Sequence, residues 1–314
     1  MMAQTIKANW GESNIPAQAG RVVLVTGANN GLGYEASRML AGKGARVVMA
    51  CRNSGLGAKA RGEILALHPN AAIDLLTLDL ADLDSVAAVP GALKGLGIER
   101  LDVLLNNAGV MMPGKRLTTK QGFELQFGTN HLGHFALTRD LFPMLAADGR
   151  VVTVASIADR RGNVKFDDLQ WEKSYSPAAS YGQSKTANLL FTLELSRRLA
   201  AAGSGIRAVA AHPGISRTNL ISGSFLANYA WLLQIIAWLP VGPKFQPAAM
   251  GALPEVYGAT GEIENGAYYG PRDRVAGYPI RAEAHMAPWS NDADAAKKLW
   301  GISEELTGGV FNVG

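Results

Sequence analysis

The sequence predicts an α/β fold in which a doubly wound parallel sheet carries helices on both faces. Short runs rich in β-branched and aliphatic residues alternate with longer amphipathic segments, the pattern of repeated strand–helix–strand units. Several of these runs are apolar throughout, as expected of strands that are covered on both faces. No fixed-period repeat or long linker divides the 314 residues. We therefore expect a leader over residues 1–19 and a single domain over residues 20–314.

The elements follow one another along the chain in regular alternation. Strands are predicted at residues 21–26, 46–50, 73–78, 102–106, 151–155 and 206–211, with a seventh candidate at 267–269. Amphipathic helices are predicted near residues 32–42, 55–67, 83–96, 122–146 and 180–202. The C-terminal third is expected to be irregular apart from the seventh strand.

Composition restricts the class of protein. Hydrophobic residues make up 48% and charged residues 18%, which indicates a globular chain. The net charge of +4 is spread along the sequence and does not favour nucleic-acid binding. The lone Cys51 excludes an internal disulfide and a cysteine-based metal cluster. With no apolar signal core near the N-terminus, and an apolar stretch at 226–239 too short to span a bilayer, we expect a cytoplasmic protein.

A glycine-rich segment lies between the first predicted strand and the first predicted helix. It contains Gly27, Gly31 and Gly33, a Gly-x3-Gly-x-Gly spacing. Glycines at such a turn let the backbone approach a pyrophosphate, whose charge is favoured at the positive end of a helix. A plain turn would also use glycines, but the position between strand and helix favours phosphate binding. The segment therefore predicts a dinucleotide site.

The end of the second strand indicates which dinucleotide binds. In a dinucleotide fold this position meets the 2′ position of the adenosine ribose, where an acid favours NAD and repels a 2′-phosphate. The residues here are Cys51, Arg52 and Asn53, and none is acidic. Arg52 could form a two-pronged contact with a phosphate, although arginine is also common at exposed strand ends. The sequence favours NADP(H) and leaves NAD(H) open.

One turn of the helix predicted at 180–202 carries a candidate acid–base pair. Tyr181 and Lys185 are four positions apart, which places them on one helix face with Cβ atoms about 5–6 Å apart. A tyrosine with its ordinary pKa of about 10 is a poor acid or base at neutral pH. A neighbouring ammonium would favour the phenolate and lower that pKa. Such pairs also arise by chance on exposed helices, so this one gains meaning only from the other motifs.

Together the motifs resemble the short-chain dehydrogenase/reductase family over roughly residues 10–314. The resemblance implies a Rossmann-type fold, hydride transfer between a nicotinamide and a carbonyl or alcohol, and, as in many members, pairing of subunits into a homo-oligomer. It implies catalytic roles for Asn130, Ser156, Tyr181 and Lys185. It implies cofactor contacts from Gly27, Asn29, Asn30, Gly31, Leu32, Gly33, Arg52, Asp79, Leu80, Asn107, Ala108, Gly109, Tyr181, Lys185, Pro213, Gly214 and Thr218.

The resemblance also gives each catalytic residue a role. Tyr181 exchanges a proton with the reacting oxygen, while Lys185 stabilises the phenolate and holds the ribose hydroxyls. Ser156 stabilises charge on the reacting oxygen. Asn130 helps to hold a water molecule on the proton path. Taken singly, Asn130 could instead bridge helices, Ser156 could end a strand and Asp79, assigned to the adenine ring, could start a turn.

Within the family, the sequence is most similar to the retinol dehydrogenase-like branch. The similarity lies in residues 49–53, in the long stretch between Ser156 and Tyr181 that includes residues 166–171, and in residues 189–199. This branch commonly prefers NADP. Its membrane-bound animal members carry an N-terminal hydrophobic anchor, which residues 1–19 do not resemble. We expect a small-molecule carbonyl or alcohol substrate of lipophilic character, with the physiological substrate open.

Residues 218–250 are expected to cover the substrate. Trp231, Ile235 and Trp238 recur at helical spacing and form one apolar face. The stretch 224–239 could pack on the core or on a second subunit, form a lid over the substrate, or lie against a membrane surface. The sequence leaves these alternatives open.

Other functions remain open at the level of sequence. A non-catalytic NADP-binding or sensing protein could share the fold, but degraded catalytic positions would be expected there, and all four are present. A light-dependent tetrapyrrole reductase shares the fold and the Tyr–Lys pair, but has pocket cysteines, whereas Cys51 is predicted beside the adenosine. No metal is expected, because His131, His134 and His212 lack ligand spacing.

Overall fold

The computed structural model of the chain describes residues 6–216 and 246–313, which contain one eight-stranded sheet. Thr218 and most of the predicted substrate-covering region 218–250, including 224–239, lie outside the described residues. The strands are β1 (Val22–Thr26), β2 (Arg46–Cys51), β3 (Ile73–Thr77), β4 (Leu101–Asn106), β5 (Leu145–Val154), β6 (Arg207–Ala211), β7 (Tyr268–Pro271) and β8 (Pro279–Arg281).

The order of the strands is β3-β2-β1-β4-β5-β6-β7-β8, and β1 to β7 pair in parallel. Only β8 joins antiparallel, on β7. The chain winds outward from β1 to β3 and then crosses back to place β4 on the other side of β1. This reversal creates a crevice at the carboxyl ends of β1 and β4, where open α/β sheets bind their ligands. The predicted doubly wound, Rossmann-type fold is confirmed.

Helices cover both faces of the sheet. They are α1 (Gly31–Gly42), α2 (Ser54–Leu67), α3 (Leu83–Ala87), α4 (Val89–Gly95), α5 (Gly133–Leu141), α6 (Pro177–Ala201), α7 (Ala248–Thr260) and α8 (Ala293–Thr307). On one face of the sheet, α1, α2 and α7 pack against alternate residues of the strands, such as Val152 and Val209. On the other face, α3 to α6 pack against the intervening residues, such as Val151 and Ala208.

Two predicted helices differ from their observed form. The helix predicted over 83–96 is divided into α3 and α4 at Ala88, two residues before Pro90, which lacks an amide hydrogen. The helix predicted over 122–146 consists of a short turn at Leu125–Phe127, a π-helix at Gly128–Leu132, and α5. It ends in a 3-10 turn that contains Pro143, after which β5 begins at Leu145.

The expectation of an irregular C-terminal third was wrong. Residues 246–313 contain α7, α8, β7 and β8, of which only β7 was expected. The Asp292 side chain caps α8 by accepting from the amides of Asp294 and Ala295. Trp300 of α8 packs against Phe135, Phe191 and Phe311 in an aromatic cluster with ring centroids 4.8–5.9 Å apart. In this cluster, Trp300 and Phe311 near the C-terminus cover the Phe135 side chain of α5 and the Phe191 side chain of α6.

The first residues also pack on the domain. Trp10 and Ile15 belong to the core, and Trp10 meets Tyr257 edge to face at 5.0 Å. Glu12 forms an ion pair with Arg38 at 2.8 Å. The boundary between a leader and the domain at residue 19 stays a prediction. Across residues 6–216 and 246–313, no helix is long and apolar enough to span a bilayer.

Candidate active site

The glycine-rich loop lies at the crevice between β1 and β4. Gly27 and Gly31 adopt φ values of +66° and +55°, which favour glycine. A Cβ on Gly33 would collide with the Asn107 side chain and lie 2.5 Å from the Gly27 carbonyl oxygen. The Asn30 side chain does not cap α1. The first amides of α1 are therefore not satisfied by a side-chain cap, and the arrangement fits a pyrophosphate group.

Thr26, which sequence reasoning did not identify, ties this loop to the segment Asn107–Gly109. Its Oγ1 accepts hydrogen bonds from the amides of Asn107 at 3.0 Å and Ala108 at 2.9 Å. The Asn107 side chain donates to the Thr26 carbonyl at 2.6 Å. His134 Nε2 lies 2.9 Å from Thr26 Oγ1. The threonine directly before the first glycine was the available signal, because its hydroxyl can join the end of β1 to the segment after β4.

The residues predicted for the adenosine end lie on loops after β2 and β3. Arg52 is exposed and forms no ion pair with any described residue. Asn53 caps α2 by accepting from the Leu56 amide at 2.9 Å. Asp79 is half-buried, and its Oδ1 accepts from the Ala81 amide at 2.9 Å. Leu80 is buried against Gly133. Arg52 is thus free to meet a charged group from solvent.

Ser156 begins a 3-10 turn, Ile157–Arg161, that packs directly on α6. Its hydroxyl caps the turn by accepting from the Ala158 amide at 3.2 Å. Gly182 of α6 meets this turn so closely that a Cβ would lie 2.6 Å from the Ala158 carbonyl oxygen. The buried Asp159 accepts from the Ala287 amide at 2.7 Å and from the Ser290 hydroxyl at 2.9 Å. The turn that carries Ser156 is therefore fixed against both α6 and the C-terminal region.

Tyr181 and Lys185 lie on the buried face of α6, with 7% and 4% of their surfaces exposed. The Lys185 Nζ lies 5.8 Å from the centre of the Tyr181 ring and donates to the Val154 carbonyl at 3.0 Å. Burial raises the pKa of Tyr181 to about 12, and a hydrogen bond with Ser156 opposes this shift. Burial lowers the pKa of Lys185 to about 8.

The expected lowering of the Tyr181 pKa by Lys185 is therefore not observed in the protein chain itself. Burial outweighs the other influences, because removing the phenolate from water costs more than the Ser156 hydrogen bond returns. The reduced pKa of Lys185 leaves this group poised to change charge near neutral pH. Ser156, Tyr181 and Lys185 nevertheless come together as predicted.

Asn130 lies in the π-helix Gly128–Leu132, a distortion that is frequent at functional sites. Its Oδ1 accepts from the Val110 amide at 2.8 Å, and its Nδ2 donates to the Val110 carbonyl and the Ser184 hydroxyl. A Cβ on Gly109 would lie 3.2 Å from Asn130 Oδ1 and 3.7 Å from Lys185 Nζ. Asn130 thus fixes the end of the β4 segment beside Lys185. Its water-mediated link to Lys185 stays a prediction.

The segment after β6 borders the same crevice. The His212 amide donates to the Tyr269 carbonyl at 2.9 Å, which extends the pairing of β6 and β7. The Pro213 carbonyl accepts from Ser216 Oγ and Gln246 Nε2. These bonds hold Pro213 and Gly214, two of the predicted cofactor contacts, at the end of β6.

The histidines occupy packing positions. Burial lowers the pKa of His131 to about 3 and that of His134 to about 4, so both are neutral at physiological pH. His131 hydrogen bonds Ser303 at 2.9 Å and stacks on Phe127. Within the described part of the chain, no group of three or more His, Cys, Asp or Glu residues is arranged to hold a metal ion.

A glycine-rich loop at a sheet reversal, with a buried Tyr–Lys pair beside it, is typical of dinucleotide-dependent oxidoreductases. The family model for short chain dehydrogenase matches residues 21–226, and the chain belongs to this family. It binds a nicotinamide cofactor and transfers hydride between that cofactor and CH–OH or C=O groups.

The relatives identify the branch. The chain is 40% identical over 295 residues to mouse (Mus musculus) retinol dehydrogenase 12, covering 92% of this chain and 87% of that protein. It is 38% identical to human (Homo sapiens) retinol dehydrogenase 13, with 92% and 85% covered. An uncharacterized protein from Mycobacterium Paratuberculosis has a crystal structure with a TM-score of 0.81 and 40% identity, covering 97% of this chain and 100% of that one. The chain is a member of the retinol dehydrogenase-like branch.

One further solved structure is described as an NAD(P)-dependent gluconate 5-dehydrogenase from Beutenbergia cavernae with bound NADP. It is 27% identical to this chain, with a TM-score of 0.61, and covers 81% of this chain and 96% of that one.

Proposed function

We propose that the protein is an NADP(H)-dependent oxidoreductase that interconverts a lipophilic alcohol and its aldehyde or ketone. The observation that carries this proposal is the burial of Tyr181 and Lys185 on one face of α6, one helical turn apart, beside the crevice that holds the glycine-rich loop. We assign catalysis to Asn130, Ser156, Tyr181 and Lys185. We also propose that the cofactor contacts the residues that the family resemblance implies for it.

The proposed chemistry divides between cofactor and protein. The nicotinamide supplies or accepts the hydride. Tyr181 gives a proton to the carbonyl oxygen during reduction and takes it from the alcohol during oxidation. Ser156, which begins the turn packed on α6, donates to the same oxygen as negative charge develops there. Lys185, when charged, stabilises the Tyr181 phenolate and holds the ribose hydroxyls.

The preference for NADP(H) rests on Arg52. This side chain is exposed at the end of β2, where the adenosine ribose would lie, and Asn53 next to it is engaged in capping α2. A free guanidinium here can bind a 2′-phosphate, and the loop after β2 offers no carboxylate that would repel it. The NADP bound by the gluconate dehydrogenase relative is consistent with this choice.

The lipophilic substrate is supported by two observations. The relatives at 38–40% identity are named retinol dehydrogenases, and retinol is a largely apolar alcohol. Residues 224–239, where the family covers its substrate, are rich in aromatic and aliphatic side chains. We also propose a cytoplasmic location.

The function is tested with a panel of aldehydes, ketones and alcohols of graded chain length, each assayed with NADP(H) and NAD(H). We expect kcat/KM to rise with chain length and to be higher with NADP(H). A rise with polar, hydroxylated substrates instead would contradict the lipophilic assignment. Tight NADPH binding without turnover of any member would favour a non-catalytic sensing protein.

A further inference from the structure

His134 is a buried residue of α5 that the proposed reaction does not use. Only 1% of its surface is exposed, and both of its ring nitrogens have hydrogen-bond partners. Nδ1 lies 3.0 Å from the carbonyl oxygen of Asn130, one turn earlier in the chain. Nε2 lies 2.9 Å from Oγ1 of Thr26, the last residue of β1. The ring therefore stands between a residue assigned to catalysis and the loop assigned to the cofactor.

These partners fix which nitrogen of the His134 ring carries the hydrogen. A carbonyl oxygen can only accept a hydrogen bond, so Nδ1 must carry a hydrogen and donate it to Asn130. Burial lowers the pKa of His134 to about 4, so at neutral pH the ring has one N–H group and Nε2 has no hydrogen. Nε2 is then an acceptor, and the Thr26 hydroxyl must donate to it.

This direction leaves the oxygen of Thr26 available as an acceptor. A hydroxyl has one hydrogen to donate and two lone pairs that accept. The hydrogen is directed to His134, and the lone pairs take the amides of Asn107 at 3.0 Å and Ala108 at 2.9 Å. Another acceptor near the hydroxyl, the Leu105 carbonyl, is more distant at 3.4 Å. The His134 ring thus orients the hydroxyl that holds the segment after β4, where cofactor contacts are predicted.

Helix α5 is attached to the sheet independently of the His134 ring. The Thr138 hydroxyl, one turn later in α5, donates to the His134 carbonyl at 2.7 Å. The same hydroxyl accepts at 2.9 Å from the side chain of Asn106, the last residue of β4. A substitution of the ring leaves this attachment in place, so the two bonds of the ring can be tested apart from the packing of the helix.

The Nδ1 bond acts on the backbone of Asn130. This residue lies in the π-helix Gly128–Leu132, and its side chain bonds both the amide and the carbonyl of Val110. The side chain can hold Val110 only while the backbone that carries it stays in place. The bond from His134 to the Asn130 carbonyl therefore supports the position of a residue assigned to catalysis.

We propose that His134 is a positioning residue that joins the two sides of the site. Through Nε2 it orients Thr26 and the cofactor segment Asn107–Ala108, and through Nδ1 it holds Asn130 beside Lys185. Loss of the first bond weakens cofactor binding, and loss of the second slows the reaction of the bound substrate. The proposal rests on the cofactor contacts and on the role of Asn130 proposed above.

The first test is nitrogen-15 magnetic resonance of the histidine side chains in the protein without cofactor. We expect His134 to carry its hydrogen on Nδ1 and to show no titration between pH 6 and pH 9, because its pKa is about 4. Its signals are identified by their absence from His134→Asn. A hydrogen on Nε2, or a titration within this range, would overturn the proposal. This measurement needs neither cofactor nor turnover, so it is independent of the proposed function.

Two substitutions separate the two bonds of the ring. Asparagine places an amide donor near the position of Nδ1, and glutamine places an amide oxygen near that of Nε2. His134→Asn should therefore weaken NADPH binding about threefold to tenfold and change kcat by less than about twofold. His134→Gln should lower kcat about threefold to tenfold and leave NADPH binding nearly unchanged. Equal losses of both quantities in both variants, or no loss in either, would contradict the proposed division.

His131→Asn is the matched control. His131 lies one turn before His134 and is likewise a buried histidine with a lowered pKa, but its ring bonds Ser303 of α8. Its replacement should lower the melting temperature and change neither NADPH binding nor kcat. Changes in binding or kcat as large as those of the His134 variants would indicate a general effect of core histidines and overturn the specific role.

A double-mutant cycle tests the contact of His134 with Thr26. Thr26→Val removes the hydroxyl and keeps the shape of the side chain, so it should weaken NADPH binding by itself. In that background His134→Asn should weaken binding by less than about a further twofold, because both substitutions break the same bond. Full multiplication of the two effects would exclude the contact. If the protein turned over no carbonyl or alcohol, the proposed function would fail, while this binding measurement would still decide the role of His134.

Discussion

The two ends of the cofactor crevice hold their functional residues in different ways. At the end proposed for the nicotinamide, Tyr181 and Lys185 are almost fully buried, and the turn after Ser156 is bonded to residues of the C-terminal region. At the adenosine end, Arg52 is exposed and free of ion pairs with the described residues. In the proposed function, reaction geometry is therefore part of the core of this protein, whereas cofactor selectivity is assigned to a surface side chain. The two properties should be separable by mutation.

The largest effect is expected for Tyr181→Phe. This change removes the proton donor and keeps the ring, so kcat/KM should fall about 10²–10⁴-fold while the melting temperature changes little. Steady-state kinetics and thermal unfolding measure the two quantities. The control Tyr257→Phe loses a buried hydroxyl bond of 2.9 Å to the Glu262 carbonyl, far from the crevice, and should retain turnover. Undiminished turnover by Tyr181→Phe would exclude the proposed mechanism.

Ser156→Ala should have an intermediate effect. The hydroxyl caps its turn and is proposed to stabilise charge on the reacting oxygen, so its loss should reduce kcat about 10²–10³-fold. It should also raise the pKa seen in the alcohol-oxidation profile, because the Ser156 bond lowers the pKa of Tyr181. Kinetics across pH 6–10 would show both changes. A fall in kcat with no movement of the profile would indicate that Ser156 contacts only the substrate.

The smallest effect is expected for Arg52→Ala. Loss of one exposed charged hydrogen-bonding group should weaken NADPH binding by about 1.5–3 kcal/mol and leave NADH binding and kcat nearly unchanged. Fluorescence titration of both cofactors measures the difference. Arg61→Ala, an exposed arginine on α2, controls for the general loss of positive charge. Equal weakening of both cofactors would remove the role of Arg52 in selectivity.

The sequence was informative where local pattern and tertiary structure agree. All six principal strands and the seventh candidate form where their apolar runs predicted, because strands in a parallel sheet are buried on both faces. The glycine spacing between β1 and α1 predicted the position of the crevice. The i,i+4 spacing of Tyr181 and Lys185 predicted that they share one face of α6. These features are encoded within a few consecutive residues.

The features that were missed depend on contacts between distant segments. Helix α7 contains Gly251, Pro254 and Gly258, which oppose a helix locally, yet it forms because its glycines let it approach α1 and the sheet closely. Thr26 bridges β1 to residues about 80 positions later, and Asp159 binds the Ala287 amide 128 positions later. The raised pKa of Tyr181 follows from burial, which no spacing of residues reveals.

The contacts of Asp159 constrain the order in which parts of the protein fold. Its carboxylate binds groups 128 and 131 positions further along the chain. Segments emerge from the ribosome in order, and contacts between distant residues are formed late in folding. The turn that orients Ser156 therefore stays incomplete until residues 287–290 have been synthesised and have returned to it. A nascent chain should acquire its sheet before it acquires activity.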